Sequence, residues 1–114
     1  RVEYRSPDPG CNPYLAFAVL LAAGLEGIEK NYKVPEAIEP NIYKMEMSER
    51  EHRGLVALPG NLFEAIEETE KSRLVKEVLG EHIFTRFLIN KKKEWEDYRI
   101  QVTSHEIRRY LPVL

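Results

Sequence analysis

Cysteine is nearly missing from this chain. Cys11 is the only one in 114 residues, so no internal disulfide can form, which suits a reducing compartment. Net charge is small as well. Lys and Arg number 17 against 19 Asp and Glu, giving −2, so no global field points to nucleic acid or an anionic membrane. The one basic cluster, Lys91, Lys92 and Lys93, is followed at once by Glu94, Glu96 and Asp97 and reads as a solvated helix face. Long apolar runs are also absent. The longest, residues 14–25, is too short to span a bilayer and reads as a buried helix. The chain opens on charged residues with no signal-peptide pattern, so the expected location is cytoplasmic. His52, His82 and His105 are far apart and lack metal-site spacing. No internal repeat or low-complexity tract is visible.

What is present is ordinary for one globular unit: 43% apolar residues and enough length for one domain with a modest core. Asn12 is a good N-cap and Pro13 suits the first helical position, so a helix is expected from there to about Asn31. Its apolar residues lie on nearly every side through Leu21, which requires wide burial. Residues 33–60 read as irregular, punctuated by Pro35, Pro40, Gly54, Pro59 and Gly60. Within them residues 41–45 are expected to be a short extended piece and residues 48–52 one helical turn. Asn61 and Glu64 form a capping-box pattern for a helix to about Glu70, with Leu62, Ala65 and Ile66 as its apolar stripe. Ser72 caps a second helix that Gly80 stops. Residues 81–100 read as a long amphipathic helix with Ile83, Phe84, Phe87, Leu88, Trp95 and Tyr98 inward. Thr103 and Glu106 make another capping box, for a last helix carrying Ile107, Tyr110 and Leu111.

Arg1, Glu3 and Arg5 alternate with Val2 and Tyr4. In a strand this places the three charged side chains on one face. A carboxylate between two guanidiniums can bind a divalent cation while its neighbours hold phosphate and carboxylate groups. An exposed edge strand with alternating charge is the other reading of the triplet alone.

The longer segment Arg1-Val2-Glu3-Tyr4-Arg5-Ser6-Pro7-Asp8, leading into Asn12-Pro13-Tyr14-Leu15-Ala16-Phe17, resembles the last catalytic strand and following helix of glutamine synthetase, type I. The similarity continues in order. It runs through Ala23-Gly24-Leu25-Glu26-Gly27-Ile28, Asn41-Ile42-Tyr43 and Leu58-Pro59 with Leu62, Glu64, Ala65 and Ile66. It goes on through Leu79-Gly80-Glu81-His82, Lys91 with Glu94-Trp95, and Val102-Thr103 with Glu106 and Tyr110. It covers essentially the whole chain. The implied fold is mainly α: the C-terminal helical portion of the family's α+β catalytic domain, with one N-terminal strand detached from its barrel. Residues 1–114 are then a single C-terminal segment, without the small β-rich domain and most of the barrel. The opening inside such a strand, with no initiator Met, fits a fragment.

The resemblance also implies chemistry. Arg5 corresponds to the catalytic arginine that holds glutamate and its developing acyl phosphate. Glu3 corresponds to a ligand of the Mg²⁺ or Mn²⁺ ion that accompanies ATP, and Arg1 to an arginine near the nucleotide phosphates. Tyr4 and Val2 would pack behind the sheet. The substrates implied are glutamate, ammonia and ATP, and the assembly a homo-oligomer, a dodecamer in the family, which the apolar tail from Tyr110 would help to form. Neither nucleic acid nor membrane is implied as a partner. Tyr43 matches a tyrosine that some members carry as an adenylylation site. The residues after it depart from that group's pattern and resemble the subgroup without adenylylation, and the other reading of Tyr43 is a tyrosine packed beneath its loop. Two further readings stay open: a stand-alone helical interaction or regulatory module, and a piece of a related glutamate–amine ligase. On the leading reading the isolated chain is inactive, mostly helical and self-associating. Light scattering across a dilution series should give a mass above the monomer, and a concentrated monodisperse monomer would favour the module.

Overall fold

The computed structural model describes Arg1 and residues 3–113. Val2 and Leu114, and the roles expected of their side chains, lie outside the described residues. Among these residues the chain forms five α-helices and no strand: α1 (Pro13–Glu29), α2 (Met47–His52), α3 (Leu62–Lys71), α4 (Arg73–Arg99) and α5 (Ser104–Tyr110).

The helix boundaries follow from short-range chemistry. The Asn12 side chain accepts from the Tyr14 and Leu15 backbone N–H groups at 3.0 and 3.4 Å, and Pro13 occupies the first turn of α1. At the other end Asn31 has φ 51. The Tyr32 N–H donates to the Gly27 carbonyl at 2.9 Å and the Asn31 N–H to that of Ile28 at 3.1 Å. This is a Schellman ending, with Asn rather than Gly in the left-handed position. α3 opens under Asn61, whose Oδ1 accepts from the Glu64 N–H at 3.0 Å. The Glu64 carboxylate reaches back one residue further than a capping box requires, to the Gly60 N–H at 2.8 Å. Thr103 and Glu106 form the full reciprocal box at α5.

α4 is the hub. It packs against both α1 and α3. Ser72 alone separates it from α3, and its Oγ accepts from the Val75 N–H at 3.3 Å. At Gly80 the backbone leaves the helical region, with φ 71 and ψ 159, a conformation essentially reserved for glycine. The expected stop at Gly80 is met: the helical backbone is interrupted there, and the chain turns a corner into the second half of α4. The corner lets Leu79, before the kink, and Phe84 and Leu88, after it, share one core with Ile66 of α3. Leu15 and Val19 of α1, with Leu62, Val75 and Trp95, pack around that cluster. Burying each such side chain contributes about 1.5–3 kcal/mol.

Three expectations are corrected. Residues 41–45 are not extended: Ile42–Lys44 form a 3-10 turn, because the Asn41 side chain accepts from the Tyr43 N–H at 3.0 Å and winds the chain. Ile83 and Tyr98 do not face the core; they are 45% and 64% exposed. Ile83 does not join the cluster that its neighbour Phe84 enters, and Tyr98 lies past Trp95, the last α4 residue that packs against the core. The Tyr4 side chain is exposed rather than packed, since no strand pairs with residues 3–6 among the described residues.

The described residues expose 10522 Å², whereas a compact monomer of 13.3 kDa is expected to expose about 6,500 Å². The radius of gyration is 18.4 Å, against about 13 Å for a compact domain of similar length. The stretched connection between α1 and α3 accounts for part of this. The uncovered outer face of α1 accounts for another.

Replacing Gly80 with Ala is expected to lower stability by about 1–3 kcal/mol. A Cβ there meets nothing within 4 Å, so the loss comes from backbone strain and not from a clash. A shifted midpoint in denaturant unfolding at unchanged slope checks this, and an unchanged midpoint refutes it.

Candidate functional site

The charged triplet sits on the segment before α1. The Arg5 Nε donates to Glu3 Oε1 at 2.6 Å, and both side chains are open to solvent. The i, i+2 spacing brings them to one side of an extended chain, as the alternation predicts. Arg1 is exposed at the open end of the segment and is not brought into the Glu3–Arg5 pair.

The connection from this pair to α1 is closely held. The Gly10 N–H donates to Asp8 Oδ1 at 2.7 Å, and the Cys11 N–H donates to the Asp8 carbonyl at 3.0 Å. A Cβ on Gly10 would stand 3.1 Å from Asp8 Oδ1, so the turn leaves little room for a side chain there. The Asn12 cap follows directly. Asp8, Gly10 and Asn12 thus shape the turn that leads into α1. The sequence reading singled out the triplet but gave Asp8 no role. Its signal was an Asp two residues before a Gly, a turn-forming pattern.

A hard divalent cation takes about six or more oxygen ligands. Among the described residues no group of three or more His, Cys, Asp or Glu side chains is placed to hold a metal. Glu3 offers one carboxylate, already bonded to Arg5. The residues present do not form a divalent-ion site by themselves, and Glu3 fits only as one ligand of a set completed from elsewhere.

The remaining candidates are dispersed. Tyr43 is 93% exposed, so it is not packed beneath its loop. Cys11 is an exposed free thiol. His52, His82 and His105 are exposed on separate helices. In the tail, Tyr110, Leu111 and Val113 are exposed.

A second polar cluster joins α1 to α4. Glu26 pairs with Lys30 and accepts from the Tyr32 hydroxyl at 2.9 Å. Arg73 approaches it at 3.9 Å while binding Glu77 at 2.8 Å. The hydrogen bonds from Lys30 and Tyr32 hold the Glu26 carboxyl below the usual carboxylate range. The bond to Glu26 raises Lys30 above the usual lysine value. The i, i+4 pairs Glu26–Lys30 and Arg73–Glu77 were open to a spacing argument. The meeting of the two pairs needed the helix crossing.

Residues 1–110 match the sequence profile of a family described as glutamine synthetase, catalytic domain. Over 111 residues the chain is 53% identical to the glutamine synthetase of Mycolicibacterium smegmatis, covering 97% of this chain and 25% of that protein. It is 49% identical over 114 residues to that of Methanosarcina mazei, covering 100% of this chain and 26% of the relative. With the Thermotoga maritima enzyme it shares 49% identity over 111 residues, covering 97% of this chain and 25% of the relative. The chain spans about a quarter of the length of these curated relatives.

The Glu26 cluster generates a pH prediction. A carboxyl with a lowered pKa contributes stability that is present above its ordinary value and lost as pH falls through the lowered one. A lysine with a raised pKa contributes stability that is present below its ordinary value and lost as pH rises through the raised one. The α1–α4 junction should therefore loosen in acid below the usual carboxylate range, and again in alkali above the usual lysine value. Amide-exchange protection of Asn31 and Tyr32 across pH reads this. Glu26→Gln should remove the acid step, and an acid step that survives the substitution would rule the cluster out as its source.

Proposed function

The chain belongs to the glutamine synthetase catalytic-domain family, and from that premise we propose that it serves as the C-terminal helical segment of an ATP-dependent glutamate–ammonia ligase. Residues 1–114 act as one segment. Their opening strand completes a barrel supplied from outside these residues, and the other domain is supplied in the same way. The reaction passes the γ-phosphoryl group of ATP to the side-chain carboxylate of glutamate. Ammonia then displaces phosphate from γ-glutamyl phosphate and leaves glutamine.

Phosphoryl transfer of this kind depends on positioning and charge neutralisation more than on covalent help. The Arg5 guanidinium is a rigid fork that can grip two oxygens at once. Its role is to hold the glutamate carboxylate and to neutralise the acyl phosphate as it develops. Glu3, 2.6 Å from Arg5 Nε, orients that fork and keeps its charge balanced until substrate arrives. Arg1 lies further along the same strand, toward the nucleotide phosphates. Glu3 would be one ligand, among several from elsewhere, of the Mg²⁺ or Mn²⁺ ion implied by the family, which would supply charge neutralisation at the transferring phosphoryl group. The observation that supports the reading is the Glu3–Arg5 pair, exposed on the non-helical segment that leads through the Asp8 turn and the Asn12 cap into α1.

The large exposed area weighs against a self-contained helical module and in favour of a segment that docks into something larger, a homo-oligomer of cytoplasmic enzyme subunits on this reading. Among the described residues no helix is long and apolar enough to cross a membrane. Tyr43, although exposed, is not flanked as in adenylylated members, so the subgroup without that modification is the reading adopted here.

In a full-length enzyme carrying this segment, Arg5→Lys should lower glutamate-dependent kcat by about 10²–10³-fold, with little change in the KM for ATP. Glu3→Gln should raise the divalent-ion concentration needed for half-maximal rate and lower turnover. Wild-type steady-state constants in both variants would sink the assignment. The 114-residue chain alone should make no glutamine.

A further inference from the structure

Between Arg5 and the first turn of α1 the chain runs Ser6-Pro7-Asp8-Pro9-Gly10-Cys11-Asn12-Pro13. Its stiffness is uneven. A proline ring fixes φ at about −65°, and contact with that ring keeps the residue before it out of the helical region. Pro7, Pro9 and Pro13 are restrained in the first way, and Ser6, Asp8 and Asn12 in the second. Asn12 accordingly has φ −69 and ψ 115. That leaves Gly10 and Cys11 as the joint about which the segment carrying Arg5 could swing against α1. Glycine is the most permissive residue for such a joint.

Asp8 fastens both residues of the joint. Its Oδ1 accepts from the Gly10 N–H at 2.7 Å, and its carbonyl accepts from the Cys11 N–H at 3.0 Å. Gly10 leaves the carboxylate room to close, since a Cβ there would stand 3.1 Å from Oδ1. Beyond the joint, Asn12 caps α1 through the Tyr14 and Leu15 N–H groups, and Leu15 and Val19 pack against the core. A continuous path of restrained residues therefore runs from the core to Arg5. The reaction proposed above gives the Asp8 carboxylate no step. Glu3, the other carboxylate of the segment, is bonded to Arg5 directly.

We infer that Asp8 is a positioning residue for the ligase reaction: by locking the Gly10–Cys11 joint it sets the direction in which the chain leaves α1 toward Arg5, and so where the guanidinium meets glutamate. The inference rests on the functional reading of Arg5 given above. On that reading the outer residues of the segment are paired within the barrel, so slack at the joint acts first on Arg5, the nearest of the three charged residues. A misplacement of about 1 Å at a reacting group costs on the order of 100-fold in rate. The lock needs an acceptor oxygen at the Oδ1 position and no negative charge, because its donor is a neutral backbone N–H.

The test uses the full-length enzyme that carries this segment, with steady-state constants measured for glutamate and for ATP. Asp8→Ala should lower glutamate-dependent kcat by roughly 10–100-fold, with the KM for ATP little changed. Asp8→Asn, which keeps the acceptor oxygen and drops the charge, should restore most of that rate. Gly10→Ala, whose Cβ would press on Oδ1, attacks the same bond from the donor side and should lower the same constant. Asn61→Ala removes the cap of α3 and serves as the control for stability. It should lower the thermal midpoint and leave the glutamate constants as they were. Asp8→Ala combined with Arg5→Lys separates positioning from an independent role. A residue that acts through Arg5 adds nothing once Arg5 has lost its grip, so the double variant should be as slow as Arg5→Lys alone, whereas independent sites multiply their losses. Multiplied losses, an Asp8→Asn enzyme as slow as Asp8→Ala, or an equal loss in Asn61→Ala would each overturn the positioning role. So would wild-type kinetics in Asp8→Ala and Gly10→Ala beside a slow Arg5→Lys, which would mean that strand pairing alone places Arg5. Wild-type kinetics in Arg5→Lys would overturn the functional reading itself, and this inference with it.

Discussion

The corner that α4 makes at Gly80 is the constraint on which the rest of the fold depends. A straight helix over the same residues would present Leu79 and Phe84 at angles set by the helical period, and one short partner helix could not cover both. The non-helical backbone at Gly80 re-aims the second half of α4, so Leu79, Phe84 and Leu88 converge on Ile66. α3 is held in position by its single-residue link at Ser72, and α1 lies against the same rod through Leu15 and Val19. The ion pairs around Glu26 and Arg73 then lie at the surface of that crossing. Such exposed pairs contribute little on their own, and the apolar contacts beneath them fix the geometry.

This core is small for the length of chain it organises. The buried apolar residues are Met45, Ile66, Leu79, Phe84 and Leu88 among the described residues, and Met45 lies apart from the other four. The remaining exposed apolar side chains are spread along the chain, with one stripe on α1 and others on the connection to α3, on α4 and in the tail. That distribution connects the fold to the functional reading. The residues proposed to handle substrate stand on an exposed non-helical segment, and the helix that follows it keeps Tyr14, Phe17, Leu21, Leu25 and Ile28 exposed.

Local signals were legible where the chemistry is local. Asn12 with Pro13, Asn61, Ser72, and Thr103 with Glu106 marked helix starts, because a cap is a contact between residues two or three apart. Gly80 was legible as an interruption because few other residues tolerate its φ and ψ. The misreadings came where a neighbour decides. The 3-10 turn at residues 42–44 depends on an Asn41 side chain that could equally have bonded elsewhere. Ile83 and Tyr98 satisfy the helical period but stay outside the core, Tyr98 because it lies past the last core contact at Trp95. The candidate site was legible as a triplet of residue types and as a likeness to one family. Its closing detail, the Asp8 turn that leads into α1, depended on a backbone conformation that composition does not specify.

By itself, then, the sequence determined the family, the helical content, the caps and the alternation that sets Glu3 and Arg5 side by side. All of these are encoded within a few residues or in an ordered set of short motifs. Tertiary structure alone decided which face of α1 meets α4, how far the core extends along α4, and that Glu26 and Arg73 stand at one crossing. The physical reason is the same in each case. An all-round apolar helix can bury either side, and a long amphipathic one can be covered over any part of its length. The choice is made by shape complementarity between elements distant in the chain, and no local preference carries that information.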